Sequence, residues 1–200
     1  MAYEHILVER EGPITIVTLG PLTNIALALE RDPGLAQRVG RLVLMGGNPC
    51  CEGNVTPAAE YNIWCDPEAA RAVLRSGLPV ELIGWHLCRH EAALGPADIE
   101  EVWGIGTPQA RFAIECNSHA RRAYQIQTGE DGIALPDPVC MAIALDRSIG
   151  ATWGRHRVEV ETASELTRGL TVVDRLNVSS DERNVRTWQH AGSADICWTL

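Results

Sequence analysis

Short apolar runs alternate with helical spacings along the first half of this chain. Ile14 to Leu19 is rich in β-branched residues and reads as a buried strand. Leu22, Ile25, Ala26 and Leu29 then recur at the spacing of one helix face, and Asp32-Pro33 marks the exit. Arg41 to Met45 makes a second strand that ends at Gly46-Gly47. After a polar loop, Asp66 caps a helix with Pro67 at its first position and Glu68 in its first turn, and Gly77 closes it. Leu78 to Gly84 is a third apolar strand. The order β-α-β-α-β predicts parallel strands, right-handed crossovers and helices on both faces.

The second half is less regular. Gln109 to Thr128 reads as one long helix, Gly129 to Leu135 as a Gly-rich connection, and Asp137-Pro138 opens a helix carrying Val139, Ala142, Ile143 and Leu145. Arg157 to Thr162 and Leu170 to Asp174 alternate around Ser164 to Gly169, which predicts an antiparallel pair. Ala194 to Leu200 reads as the start of a terminal helix. No repeat, low-complexity tract or linker interrupts the pattern, so residues 1–200 parse as one α/β domain. Its fold class is an open, mostly parallel sheet with helices on both faces, plus a late antiparallel hairpin.

Composition narrows the partners. With 46% hydrophobic residues, 22% charged and a formal net charge of -9, the chain reads as a soluble globular protein and not as a nucleic-acid binder. A neutral small molecule is still compatible with that charge. No apolar run approaches the ~18 residues that span a bilayer, and the first residues lack a basic-then-apolar leader, which predicts a cytoplasmic protein with no membrane partner. The seven cysteines form no CxxC pair, so a zinc site is not expected; reduced, mostly buried thiols are.

The candidate chemistry sits after the second strand. Asn54, Glu60 and Asn62 supply amide donors, amide acceptors and a carboxylate within nine residues, the set that holds vicinal hydroxyls of a sugar. Any one of them alone serves equally as turn chemistry. Ligands of open α/β sheets lie outside the carboxyl ends of the strands, where the turn at Leu19, the Met45-Gly46-Gly47 turn and the Gly84-Trp85-His86 turn all fall. Trp85 is the candidate to stack on a flat ring. Trp64 competes for that role but reads more readily as core; Trp103, Trp153, Trp188 and Trp198 read as packing. No GxGxxG or Walker-type loop offers a phosphate cradle.

The run Asn54-Val55-Thr56-Pro57-Ala58-Ala59-Glu60-Tyr61-Asn62-Ile63 with Asp66-Pro67-Glu68 resembles the signature of the inosine-uridine preferring nucleoside hydrolase family. Leu19-Gly20-Pro21-Leu22-Thr23-Asn24, Met45-Gly46-Gly47 and Glu165-Leu166-Thr167-Arg168-Gly169 look like further motifs of that family, in family order. The resemblance implies a Rossmann-like nucleoside hydrolase fold, a nucleoside substrate and a homo-oligomer. It also implies a calcium ion bound by the Leu19 carbonyl and the Asp137 carboxylate. Asn54, Glu60 and Asn62 would grip the ribose, with Met45 packed near the sugar. The implied reaction is cleavage of the N-glycosidic bond by a calcium-bound water.

Two departures are visible. The aspartate-rich metal motif that precedes the first strand in the family, and brings its general base, is absent, which predicts an N-terminally truncated member with an unpaired sheet edge. Pro136 stands where family members carry the histidine that protonates the leaving base. His86 is a possible substitute, although a lone loop histidine is commonly just solvated; His90 and His119 read as surface. Asp137 itself also reads as a simple helix cap. The open alternatives are thus an active hydrolase and a binding or scaffold protein that keeps the ribose loop.

Overall fold

The computed structural model describes residues 13–180 and 191–200. In chain order, β1 (Ile14–Thr18) leads to α1 (Thr23–Arg31) and α2 (Leu35–Arg38), and β2 (Val39–Met45) leads through the polar loop to α3 (Tyr61–Cys65) and α4 (Pro67–Arg75). Next, β3 (Val80–Ile83) runs into a π-helical turn, Leu87–Glu91. Helices α5 (Pro96–Gly104), α6 (Pro108–Cys116), α7 (Ser118–Thr128) and α8 (Pro136–Leu145) follow, and then strands β4 (Thr152–Val160), β5 (Thr171–Asp174) and β6 (Gly192–Thr199).

The strands form one sheet ordered β1-β2-β3-β6-β4-β5. β1, β2, β3 and β6 are parallel, while β4 pairs antiparallel with both β6 and β5. This is the mostly parallel sheet with a late antiparallel pair that the alternation predicts. Strand β2 shows why both faces are covered. Leu42 and Leu44 point into a core shared with Ile25 of α1 and Ala70, Val73 and Leu74 of α4. Val43 and Met45 point the other way, onto Cys140 and Ile143 of α8 and onto Trp85 and Leu87. A period of two with both sets apolar is what a strand buried on both faces requires.

Several expectations need correction. The long helix is two: Asn117 ends α6, because its Nδ2 donates to the Ala113 carbonyl at 2.8 Å, the acceptor its own backbone N–H would use in a continuing helix. The segment from Ala194 is strand β6, not a helix. Burial of Ala194 and Ile196 between β3 and β4 overrides the local signal. The thiols are not mostly buried; Cys88, Cys140 and Cys197 are, whereas Cys50, Cys65 and Cys116 are exposed. Asp137 is not the cap of its helix, since α8 starts at Pro136 behind Leu135, which leaves Asp137 in the first turn. Trp64 and Trp103 are exposed, and Trp188 lies outside the described residues.

One polar cluster fixes α8. Arg41 near the start of β2 donates from Nη1 to the Ala144 carbonyl at 2.8 Å and from Nη2 to the Ile143 carbonyl at 3.1 Å, so it holds the carboxyl end of that helix. The same guanidinium clasps Glu81 Oε2 at 2.9 and 2.6 Å, and Arg147 Nε takes Oε1 at 2.9 Å. With its last turn beside the start of β2, α8 runs antiparallel to that strand, and its first turn, with Asp137, reaches the end of β2. Removing Arg41 takes one of two cations from Glu81 and a donor from the Ala144 and Ile143 carbonyls, at a cost of about 1–3 kcal/mol. Arg41→Ala is therefore expected to lower stability by about that much in urea melts. A loss below about 1 kcal/mol, the scale of an exposed pair, would show that the cluster does not fasten the helix.

Candidate active site at the strand ends

Glu60 sits at the centre of the rim. It is 2% exposed, and its carboxylate accepts from the backbone N–H of Gly47 (2.9 Å), Asn62 (3.0 Å) and Ile63 (3.3 Å). Two of those donors belong to the first turn of α3, which Glu60 caps; the third belongs to the turn after β2. Asn62, also buried, donates from Nδ2 to the Met45 carbonyl at 3.2 Å and lies 3.3 Å from its sulfur. The turn at Gly47 needs glycine, because φ is +78° there and a Cβ would lie 2.7 Å from Thr171 Oγ1 of β5.

The loop between β2 and α3 is held from within. Asn48 Nδ2 donates to the carbonyls of Cys51 (3.1 Å) and Ala58 (3.0 Å), and Asn54 Oδ1 accepts from Tyr61 N–H at 2.9 Å. Gly53 has no room for a side chain, since a Cβ would meet the carbonyl oxygens of Thr56 and Ala59 at 2.2 Å. From the far side, Gln127 Nε2 of α7 donates to the Asn54 carbonyl at 2.8 Å.

These contacts enclose a cleft of about 150 Å³ lined by Glu52, Gly53, Asn54, Trp85, Arg89, Gln127 and Thr128. Trp85 and Asn54, expected at the site, share it. Arg89, Gln127 and Thr128 were not singled out from the sequence. Arg89 carried a signal, as the first charge after the apolar stretch Leu82 to Cys88 apart from a histidine; Gln127 carried none. Met45, Glu60 and Asn62 are buried next to one another at the end of β2 and do not line this cleft, and Leu19 is exposed at the end of β1.

Electrostatics join Asp137 to this group. Burial pushes the Glu60 carboxyl above its ordinary range, and the nearby Asp137 charge adds to that, against the pull of the three backbone donors. The Asp137 carboxyl is raised by its surroundings as well. His86 is buried, not solvated: its Nε2 lies 3.0 Å from the Cys197 carbonyl, a geometry that makes Nε2 the donor, and burial lowers its pKa. His90 and His119 are exposed, as expected.

A calcium ion takes six to eight oxygen ligands. Among the described residues no three His, Cys, Asp or Glu side chains converge on one point. The Asp137 carboxylate and the Leu19 carbonyl do not by themselves fit that ion.

The fold and the placing of these groups make this an open α/β protein with its candidate site at the strand ends. The family profile described as "Inosine-uridine preferring nucleoside hydrolase" matches residues 1–196. "Pyrimidine-specific ribonucleoside hydrolase RihA" of Enterobacter sp. (strain 638) is 38% identical over 180 residues, covering 90% of this chain and 56% of its own length. The RihA of Klebsiella pneumoniae (strain 342) is 39% identical over 181 residues, at 90% and 57%. Among solved structures, the plant nucleoside hydrolase PpNRh1 superposes with a TM-score of 0.87 at 30% identity, covering 98% of this chain and 60% of that one. A purine-preferring ribonucleoside hydrolase from Gardnerella vaginalis gives 0.77 at 28%, covering 98% and 59%. The chain belongs to the inosine-uridine preferring nucleoside hydrolase family. It spans just over half the length of the RihA relatives it matches.

The raised Glu60 carboxyl has a measurable consequence. Its contribution to stability is fully present below the unfolded value, about 4.3, and is lost as pH rises through the folded value. Relative to Glu60→Gln, which does not titrate, the wild type should therefore lead by most near or below the unfolded value of about 4.3 and by less as pH rises above it. Urea melts of both proteins from that value upward check it; a lead that grows with pH would mean that the ionised form is the one folding favours.

Proposed function

We propose that this chain forms the ribose- and base-binding rim of a ribonucleoside hydrolase that releases ribose and free base. The observation that carries this reading is the convergence of Glu60, Asn62 and Met45 at one strand end with Asp137 close enough to perturb Glu60, beside a cleft walled by Trp85. Glu60 and Asn62 are held rigidly by backbone, so they present fixed polar atoms to a sugar without a further ordering cost. Asn54, at the join between rim and cleft, is placed to meet the ligand between its sugar and its base. Trp85 gives a flat ring a wall to stack on. The names of the RihA relatives make a pyrimidine nucleoside the first ligand to test.

Asp137, in the first turn of α8, is the exposed carboxylate beside this group. Calcium, as the family resemblance implies, would be held in part by the Leu19 carbonyl and the Asp137 carboxylate and would supply Lewis-acid chemistry there; these two groups are too few to complete its shell. A cytoplasmic homo-oligomer completes the picture by family analogy. No helix among the described residues is long and apolar enough to cross a membrane, and the acidic net charge of -9 disfavours nucleic acid.

A second reading, a nucleoside-binding protein without turnover, draws on Pro136 at the first position of α8, where no proton donor can stand. Ribose release from uridine, inosine and a nitrophenyl riboside, with and without added calcium, separates the two. Turnover should fall about 100-fold or more in Asp137→Asn, the scale of losing one electrostatic contact to the reacting centre. A folded wild-type chain that binds uridine but releases no ribose would leave only the second reading.

A further inference from the structure

The hydrolase reading leaves open what helps the base to leave. Pro136 has no proton to give, and His86 is buried and tied to the Cys197 carbonyl. Of the described residues lining the cleft, Arg89 alone carries a cationic side chain.

Resting on that reading, we propose that Arg89 touches the departing base and stabilises the negative charge it acquires, so that base loss is assisted by a fixed cation instead of a proton donor. Arg89 lies in the π-helical turn Leu87–Glu91, separated from the end of β3 by three residues; such turns are rare and recur at functional sites. The turn is braced by the Tyr124 hydroxyl, 3.2 Å from the Arg89 carbonyl. One part of the guanidinium pairs with Glu52. Its Nε–H is buried and has no hydrogen-bond partner among the described residues. A buried cationic donor left unmatched is costly, and a carbonyl oxygen of a bound ring would supply the missing acceptor. Trp85, Asn54 and Gln127 line the same cleft.

The step balances without any further reactant. As the N-glycosidic bond breaks, its electron pair stays on the base nitrogen and spreads to the ring oxygens, and the sugar becomes an oxocarbenium-like ion. A water molecule bonds to the anomeric carbon and gives up a proton; the base anion takes one from solvent. Nucleoside and water become ribose and free base. A guanidinium stays protonated throughout, so its contribution is charge stabilisation in a partly dry cleft, not proton transfer.

Two readouts test this with the purified chain, one of which needs no turnover. Calorimetry should show that the wild type binds 5-nitrouracil, ionised at neutral pH, more tightly than uncharged uracil. In Arg89→Gln that preference should fall by about 10- to 100-fold, the range for a hydrogen bond to a charged group, while Arg89→Lys keeps part of it. In kinetics, Arg89→Gln should lose about the same factor in kcat/KM for uridine and little for a nitrophenyl riboside, whose leaving group departs unaided. An anion preference unchanged in Arg89→Gln, or equal losses on both substrates, overturns the proposal and leaves the hydrolase reading standing. If the wild type turns over neither substrate, the hydrolase reading fails, and the anion preference alone decides whether Arg89 recognises charge on the base.

Discussion

The buried carboxylate of Glu60 is the constraint on which the rim depends. It accepts from one backbone donor in the turn after β2 and two in the first turn of α3, so a single side chain locks the strand end to the next helix. Everything between those points is a loop that no regular ladder could hold. With Glu60 in place, Asn62 reaches the Met45 carbonyl and Asn54 accepts from the Tyr61 N–H. Burial works against the charge on Glu60, and the three donors work for it. A carboxyl held in that balance is poised to respond to a ligand that supplies or removes hydrogen bonds.

The opposite wall is set from outside the loop. Arg41 and Glu81 hold the far end of α8, which puts Asp137 at the strand ends, while α7 reaches over to pin Asn54 through Gln127 and the π-helical turn through Tyr124. The rim is therefore assembled from elements that contribute little binding chemistry of their own. Polar clamps fix the distances, and the apolar faces of β2 supply the stability that keeps them fixed.

Much of this was legible in the sequence because the governing signals are local. Apolar runs located β1, β2 and β3, Asp66-Pro67 marked the start of α4, and Asn54, Glu60 and Asn62 stood out as a polar set after a buried strand. Non-local effects were not legible. The break at Asn117 depends on a side chain competing for a carbonyl, and β6 exists because it fills the gap between β3 and β4, which local pattern does not reveal. The roles of Glu60 and Asn62 in bracing backbone were equally hidden; composition showed them as hydrogen-bonding groups but not which partners they would find. Arg89 and Gln127 enter the cleft only through the packing of α7 and the turn after β3.

The central claim is that the strand-end rim and the Trp85 cleft form one nucleoside site. A crystal structure of this chain with uridine tests it most directly. The account predicts ribose against Met45, Glu60, Asn62 and Asp137 and the pyrimidine ring beside Trp85 and Arg89. Uridine bound elsewhere, or ribose in the cleft with the base pointing away from Trp85, would contradict it.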